Sequence, residues 1–192
     1  EIIREAGIQV NDLDAVAISM GPGSYTGLRI GVASAKGLCY AMDKPLIAVS
    51  TLQSMAAGIS GEIKNKNYPF REPCYICPMI DARRMEVFCA LYDDKAVEVQ
   101  PARAEIMEEN SFGDLLKDHR IFFGGEGAEK CRPLLGTREN AVFIENFRAS
   151  ARFMTSLALA KYNGGGFEDL AYFEPFYLKD FVAGEPRVKG LH

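Results

Sequence analysis

Between residues 21 and 27 the chain reads Gly-Pro-Gly-Ser-Tyr-Thr-Gly, and no other stretch restricts its fold so tightly. Glycine tolerates positive φ while proline fixes its own, so the segment turns sharply. The apolar run Leu13–Ser19 in front of it reads as a buried strand. Behind it, residues to Met42 keep helical spacing, and Ser24 or Thr26 is placed to cap them by accepting from a backbone N–H two or three residues on. The local expectation is strand, tight turn, helix.

At about 100° per residue, Leu28, Val32, Ala35, Cys39 and Met42 share one side of that helix, and Ile30, Ala33, Gly37 and Ala41 share another. Only Arg29, Lys36 and Tyr40 make a polar wedge, which predicts a helix buried on more than one side. Small residues recur at four-residue spacing (Gly27, Gly31, Ala35, and again Ala33, Gly37, Ala41). Glycine inside a helix costs roughly 1 kcal/mol against alanine, so the pattern needs a packing reason. Either another backbone of the same domain comes close, or a partner helix docks on Ile30, Ala33, Ser34, Gly37 and Ala41.

Glu1–Gly7 reads as the last turns of a helix stopped by glycine. A short strand Leu46–Val49 follows the long helix, and Ser50-Thr51-Leu52-Gln53 is a capping box that opens a helix Thr51–Ile59. Residues 60–73 are polar, proline-bearing and aperiodic, as an exposed linker is. Beyond them Cys74–Ile80, Met85–Tyr92 and Ala96–Gln100 read as an antiparallel meander. Next come a helix Phe112–Lys117, a strand Arg120–Phe123, a helix Ala128–Leu135, a strand Ala141–Ile144 and a helix Ala151–Tyr162. The order β, β, β, α, β, α, β, α is that of ribonuclease-H-like domains, and residues 1–60 repeat it without the meander. The expected organisation is α/β with two such lobes, 1–60 and 74–192, joined by a linker at 61–73. On that plan the first lobe lacks its N-terminal meander, roughly 35–40 residues in front of Glu1 on typical strand and hairpin lengths.

Net charge is −4 over 192 residues, which argues against free-standing nucleic-acid binding, since phosphates reward Lys and Arg. No run is long and apolar enough to span a membrane. The five Cys (39, 74, 77, 89 and 131) are read as buried free thiols of a reducing cytosol. Cys74 and Cys77 have ligand-like spacing, but residues three apart on a strand face opposite sides, and no second pair completes a zinc set. His119 and His192 are the only imidazoles, and neither stands in a motif with a nucleophile. Gly21–Gly27 fits neither the Walker nor the dinucleotide loop. Gly124, Gly125 and Gly127 make a second glycine-rich turn from strand to helix, the place where a kinase-like lobe would touch nucleotide, although Glu126 would repel phosphate. Asp81, Arg83, Arg84 and Glu86 make a charged cluster at a turn, read as a solvated hairpin tip or as a contact for a partner or RNA. No catalytic residue, metal ligand or cofactor-binding residue is assigned beyond those three glycines.

Gly21–Gly31, then Ala35-Lys36-Gly37-Leu38, then Pro45–Leu52 resemble the bacterial TsaB (YeaZ) family. Asp81–Phe88 and the Tyr177-Leu178-Lys179 tail carry the resemblance further. It implies an actin-, Hsp70- and sugar-kinase-like fold. It also implies a non-catalytic cytoplasmic subunit that docks a TsaD-like catalytic partner for threonylcarbamoylation of adenosine 37 in tRNA. A TsaE-like ATPase and a homodimer are further expected associations. By this resemblance tRNA is touched only indirectly, and ATP belongs to the complex. TsaD binds metal through an H-x-x-x-H pair that this sequence lacks. Two readings compete: an actin-like ATPase or small-molecule kinase with Gly124–Gly127 as a phosphate loop, and a glycoprotease-like metallopeptidase.

Overall fold

The apolar residues at 16–20 and 46–49 form a small parallel sheet in a computed structural model that describes residues 2–66, 68 and 74–179. A single turn, α1 (Ile2–Glu5), ends at Gly7 with φ +68°. β1 (Val16–Gly21) pairs in parallel with β2 (Leu46–Ser50), Val16 opposite Leu46 and Ile18 opposite Ala48. The strand begins later than its apolar run because Leu13 closes a 3-10 turn, its N–H on the Val10 carbonyl. Between the strands runs α2 (Tyr25–Met42), capped by the Ser24 hydroxyl, which accepts from the Gly27 N–H at 3.4 Å. Asp43, left-handed at φ 52°, stops it.

α2 buries one stripe only. Leu28, Val32, Ala35 and Cys39 are buried, and the last three pack with Leu46, Ala48, Phe173 and half-buried Val16, Ile18 and Met20. Met42 is half-buried, and Ile30, Ala33, Ser34, Gly37 and Ala41 are exposed. The expectation of a helix buried on more than one side is therefore corrected: within the described residues the second small-residue face has no cover.

α3 (Thr51–Asn65) starts where the Ser50 hydroxyl accepts from the Gln53 N–H at 3.3 Å. Only that half of the expected capping box forms, because the Gln53 amide donates to the Ala96 carbonyl at 3.4 Å instead. The helix runs past Ile59 to Asn65, so residues 60–65 are not linker. Burial of Ile63 one turn beyond Ile59 outweighs the poor propensity of Gly58, Ser60 and Gly61. Of the remaining linker, positions 67 and 69–73 lie outside the described residues.

A five-stranded sheet has the order β5-β4-β3-β6-β7. β3 (Cys74–Asp81), β4 (Glu86–Tyr92) and β5 (Glu98–Ile106) form the antiparallel meander, and β6 (Arg120–Gly124) and β7 (Ala141–Ile144) continue parallel to β3. β5 runs six residues past Gln100. Pro101 suggests a strand end, but it sits on an edge strand at a register shift, between Leu91↔Gln100 and Cys89↔Arg103, where no ladder N–H is needed. α4 (Leu115–Asp118) is one turn, shorter than expected; α5 (Glu126–Leu135) starts two residues early; α6 (Thr155–Asn163) follows a separate 3-10 turn, Ala151–Met154.

The sheet is covered on both faces. Leu52, Met55, Ile59 and Ile63 of α3 pack with Ile76, Tyr92 and Phe122, while Ala128, Cys131 and Leu135 of α5 pack with Met79, Val87, Cys89 and Phe123. α3, adjacent in sequence to the small sheet, thus joins the larger core. Among the described residues no helix is long and apolar enough to cross a membrane.

Gly125 has φ +111°, and a Cβ there would run into the Met79 carbonyl oxygen and lie 2.6 Å from Met55 Cε. Gly125→Ala should lose at least about 1–3 kcal/mol from backbone conformation alone, seen as a lower urea midpoint at unchanged slope. Gly61→Ala, with nothing within 4 Å of its Cβ, should instead match or gain on the wild type by up to about 1 kcal/mol.

Candidate functional site

The two glycine-rich turns, far apart in sequence, meet at one cleft. Its volume is about 380 Å³, and its lining includes Ser19 of β1, Gly23, Ser24 and Gly27 of the first turn, Thr51 and Met55 of α3, Ile80 of β3, Glu126 of α5 and Arg148. This is the crevice beyond the carboxyl ends of β1 and β3, where open α/β sheets bind ligands. Its chemistry is sparse. Ser19 and Thr51 hydroxyls bond each other at 2.5 Å, and Arg148 lies 3.6 Å from the Glu126 carboxylate with both side chains well solvated.

The glycines serve close backbone approach. At φ +121°, a Cβ on Gly21 would sit 2.5 Å from the Phe176 carbonyl oxygen, and one on Gly127 would sit 2.9 Å from the Ile80 carbonyl carbon. Gly124 similarly admits Ile59, whose Cδ1 would be 2.8 Å from a Cβ. Gly125 and Gly127 thus sit where α5 crosses β3, and Gly124 where β6 meets α3. Glu126 puts a carboxylate at the α5 N-terminus, the end whose dipole favours an anion.

Nucleophile and metal sets are not assembled among the described residues. Cys74 points into the α3 core and Cys77 into the α5 core, as residues three apart on a strand must. No three His, Cys, Asp or Glu side chains are grouped there as a metal would require. Burial pushes the Cys77 thiol well up and the Cys131 thiol up to about 11; it raises Cys39 as well. Reactive cysteines need the opposite shift. His119 stacks on Tyr75 with ring centroids 5.1 Å apart, and His192 lies outside the described residues.

The expected charged cluster is real and more organised than a hairpin tip requires. Lys130 Nζ donates to Asp81 Oδ1 at 2.5 Å and to the Glu86 carbonyl at 2.7 Å, and Lys179 Nζ lies 2.5 Å from Glu86 Oε2. The Lys130 bond holds the Asp81 carboxyl below the usual carboxylate range. Neither lysine partner is evident from local sequence, because Lys130 is 49 residues from Asp81 and Lys179 is 93 from Glu86.

The remaining feature is the outward side of α2. Ile30 is 63% exposed, Leu38 51% and Tyr40 86%, alongside exposed Ala33, Ser34, Gly37 and Ala41. Leu38 lies outside the expected interface set, although at about 100° per residue it follows Ile30 and Ser34 at four-residue intervals. One flank of the helix is covered by residues 170–177. Lys36 Nζ donates to the Ala171 and Phe173 carbonyls at 3.4 and 3.1 Å, Phe176 N–H bonds the Met20 carbonyl at 2.8 Å, and the Tyr25 and Tyr177 rings lie 4.9 Å apart.

These contacts define a mixed α/β protein with a cleft at the strand ends and a helix, α2, whose outer face is uncovered among the described residues. A family model described as TsaD, tRNA N6-adenosine threonylcarbamoyltransferase, matches residues 1–118. The tRNA threonylcarbamoyladenosine biosynthesis protein TsaB of Escherichia coli is 40% identical over 92 residues, 48% of this chain and 36% of that protein. Its Bacillus subtilis namesake is 36% identical over 94 residues, 49% of this chain and 37% of that one. The chain thus spans little more than a third of the length of these relatives. A Pseudomonas aeruginosa structure described as an uncharacterized protein with similarity to peptidase YEAZ superposes with TM-score 0.75 at 23% identity, covering 93% of this chain and 79% of that one. YeaZ from the same organism gives TM-score 0.66 at 20% identity over 91% and 79%. At such identities the superpositions establish the fold. The chain belongs to the threonylcarbamoyltransferase (TsaD) family, on its TsaB (YeaZ) branch.

All five thiols should resist a thiol reagent in the native state and titrate as five after unfolding without reductant; a lower count would reveal a disulfide. Asp81 should titrate below an ordinary Asp and move up in Lys130→Met, as followed by NMR. Because its folded pKa is depressed, any stability from this pair is complete above the unfolded value of about 3.9 and is lost as pH falls through the lower folded one. The partly solvated geometry keeps that contribution small.

Proposed function

We propose that this chain is part of a non-catalytic partner subunit that docks a TsaD-like catalytic subunit for threonylcarbamoylation of adenosine 37 in tRNA. The observation that carries the reading is the uncovered apolar side of α2, with Ile30, Leu38 and Tyr40 in solvent beside small Ala33, Gly37 and Ala41. Small residues let a partner helix approach to about 8–10 Å between axes, and the larger ones supply the apolar area. The names of the relatives, tRNA threonylcarbamoyladenosine biosynthesis proteins, support the pathway. The small sheet with α2 and the larger sheet with α5 are read as the two ribonuclease-H-like lobes, the first lacking its meander in this chain, with α3 packed on the larger sheet.

In this account the interface is Ile30, Ala33, Ser34, Gly37 and Ala41, extended by Leu38 and Tyr40. The subunit works in the cytoplasm without a cofactor of its own, and ATP serves the complex, where a TsaE-like ATPase also associates. The same face supports a homodimer when the TsaD-like partner is absent, because apolar helix surface left in water favours self-pairing.

The test compares Gly37→Leu and Ala33→Leu for melting temperature of the subunit alone and for affinity toward the TsaD-like partner. A Cβ at Gly37 meets nothing within 4 Å, so Gly37→Leu should keep or slightly raise the melting temperature while overpacking weakens association by roughly 1–3 kcal/mol or more. Unfolding of the lone subunit would make the face internal core; unchanged affinity would remove α2 from the interface.

A further inference from the structure

The hairpin tip between β3 and β4 presents two arginines in a way its own fold does not require. Arg83 and Arg84 both have positive φ, 74° and 48°, a region that side-chain-bearing residues adopt at a cost and that glycine adopts freely. Both side chains are exposed, and among the described residues neither guanidinium has an ion pair. The acidic neighbours that would ordinarily satisfy them are already engaged: Asp81 by Lys130 and Glu86 by Lys179, each at 2.5 Å.

The tip is also held in shape. Arg83 N–H donates to Asp81 Oδ1 at 2.7 Å, Ala82 N–H to the Glu86 carbonyl at 3.0 Å, and Glu86 N–H to the Arg83 carbonyl at 3.1 Å. Two lysines therefore cancel the two carboxylates, and the strained turn carries two uncompensated positive charges on a chain of net charge −4. Ile80, next to this turn, lines the cleft, so the turn leaves β3 at the end of the strand where the cleft lies. Strain kept where a glycine would be easier points to the side chains as the reason for it. A planar guanidinium is suited to phosphate oxygens, which it can bind through two parallel N–H bonds.

We propose that Arg83 and Arg84 form a phosphodiester contact for the RNA substrate, so that this subunit touches the tRNA backbone directly. The contact is to the backbone and carries no base specificity. It rests on the reading of the chain as a partner in tRNA threonylcarbamoylation, and it departs from the expectation of purely indirect contact.

The experiment uses the complex with the TsaD-like subunit and an unmodified tRNA transcript, measuring affinity across salt concentrations for the wild type, Arg83→Gly/Arg84→Gly and Arg83→Lys/Arg84→Lys. Glycine relaxes the backbone, so the first variant should melt no lower than the wild type and still bind the TsaD-like subunit. Its tRNA affinity should fall about tenfold or more near 0.1 M salt. The slope of log K against log salt should shrink by roughly 0.7–0.9 for each phosphate no longer neutralised. The lysine variant should recover most of both quantities. An assembled glycine variant with unchanged affinity and slope overturns the contact while leaving the partner reading intact. Loss of the TsaD-like subunit from that variant assigns the tip to a protein interface and likewise overturns it. A wild-type chain that fails to recruit the partner refutes the underlying reading, and this inference with it.

Discussion

Two glycines at positive φ let backbone meet backbone where no side chain fits. The Phe176 carbonyl sits against Gly21, and the Met79 carbonyl against Gly125, each glycine at a φ beyond 110°. The first contact brings residues 170–177 across the small sheet, so that Phe173 fills its core and Lys36 is tied to main-chain carbonyls. The second sets α5 hard against β3 and thereby positions Glu126 at the cleft. At both turns the close neighbour of the glycine is a backbone carbonyl from another part of the chain.

Much of this architecture is legible in the sequence because its signals are local. Gly-Pro-Gly after an apolar run marks the turn, Ser24 marks the helix start, and the apolar stripe Leu28, Val32, Ala35 and Cys39 marks its buried side. The meander and the two parallel strands follow from period and punctuation. Local preference misleads where tertiary contact outweighs it. α3 continues through Gly58 and Gly61 because Ile63 is buried and because Gly58 makes room for the Phe153 ring, which a Cβ would approach to 2.6 Å. β5 passes Pro101 because an edge strand with a register shift leaves that nitrogen free of the ladder.

The site is legible in part. The two glycine turns and the charged tip stand out by composition, but the meeting of the two turns at one cleft, and the lysines that neutralise Asp81 and Glu86, depend on contacts dozens of residues apart. Leu38, being large, escapes a search for small-residue spacing that finds its neighbour Gly37. The second face of α2 separates cleanly from the first by helical period, yet its exposure does not follow from amphipathicity alone, since an apolar face predicts burial without saying by what.

The functional account joins these physical points. The cleft holds one carboxylate–guanidinium pair and three hydroxyls, those of Ser19, Ser24 and Thr51, while α2 offers a long apolar surface on a helix already anchored by its other side. Anchoring matters, because a rigid face loses little conformational entropy on association. The most direct measurement is a methyl NMR titration of the chain with the TsaD-like subunit, following Ile30, Ala33, Leu38 and Ala41 against Val97 and Val99, which are exposed on the meander. The account predicts shifts and intermolecular NOEs at the α2 methyls with the valines unmoved. Saturating complex formation with the α2 methyls unmoved would contradict it.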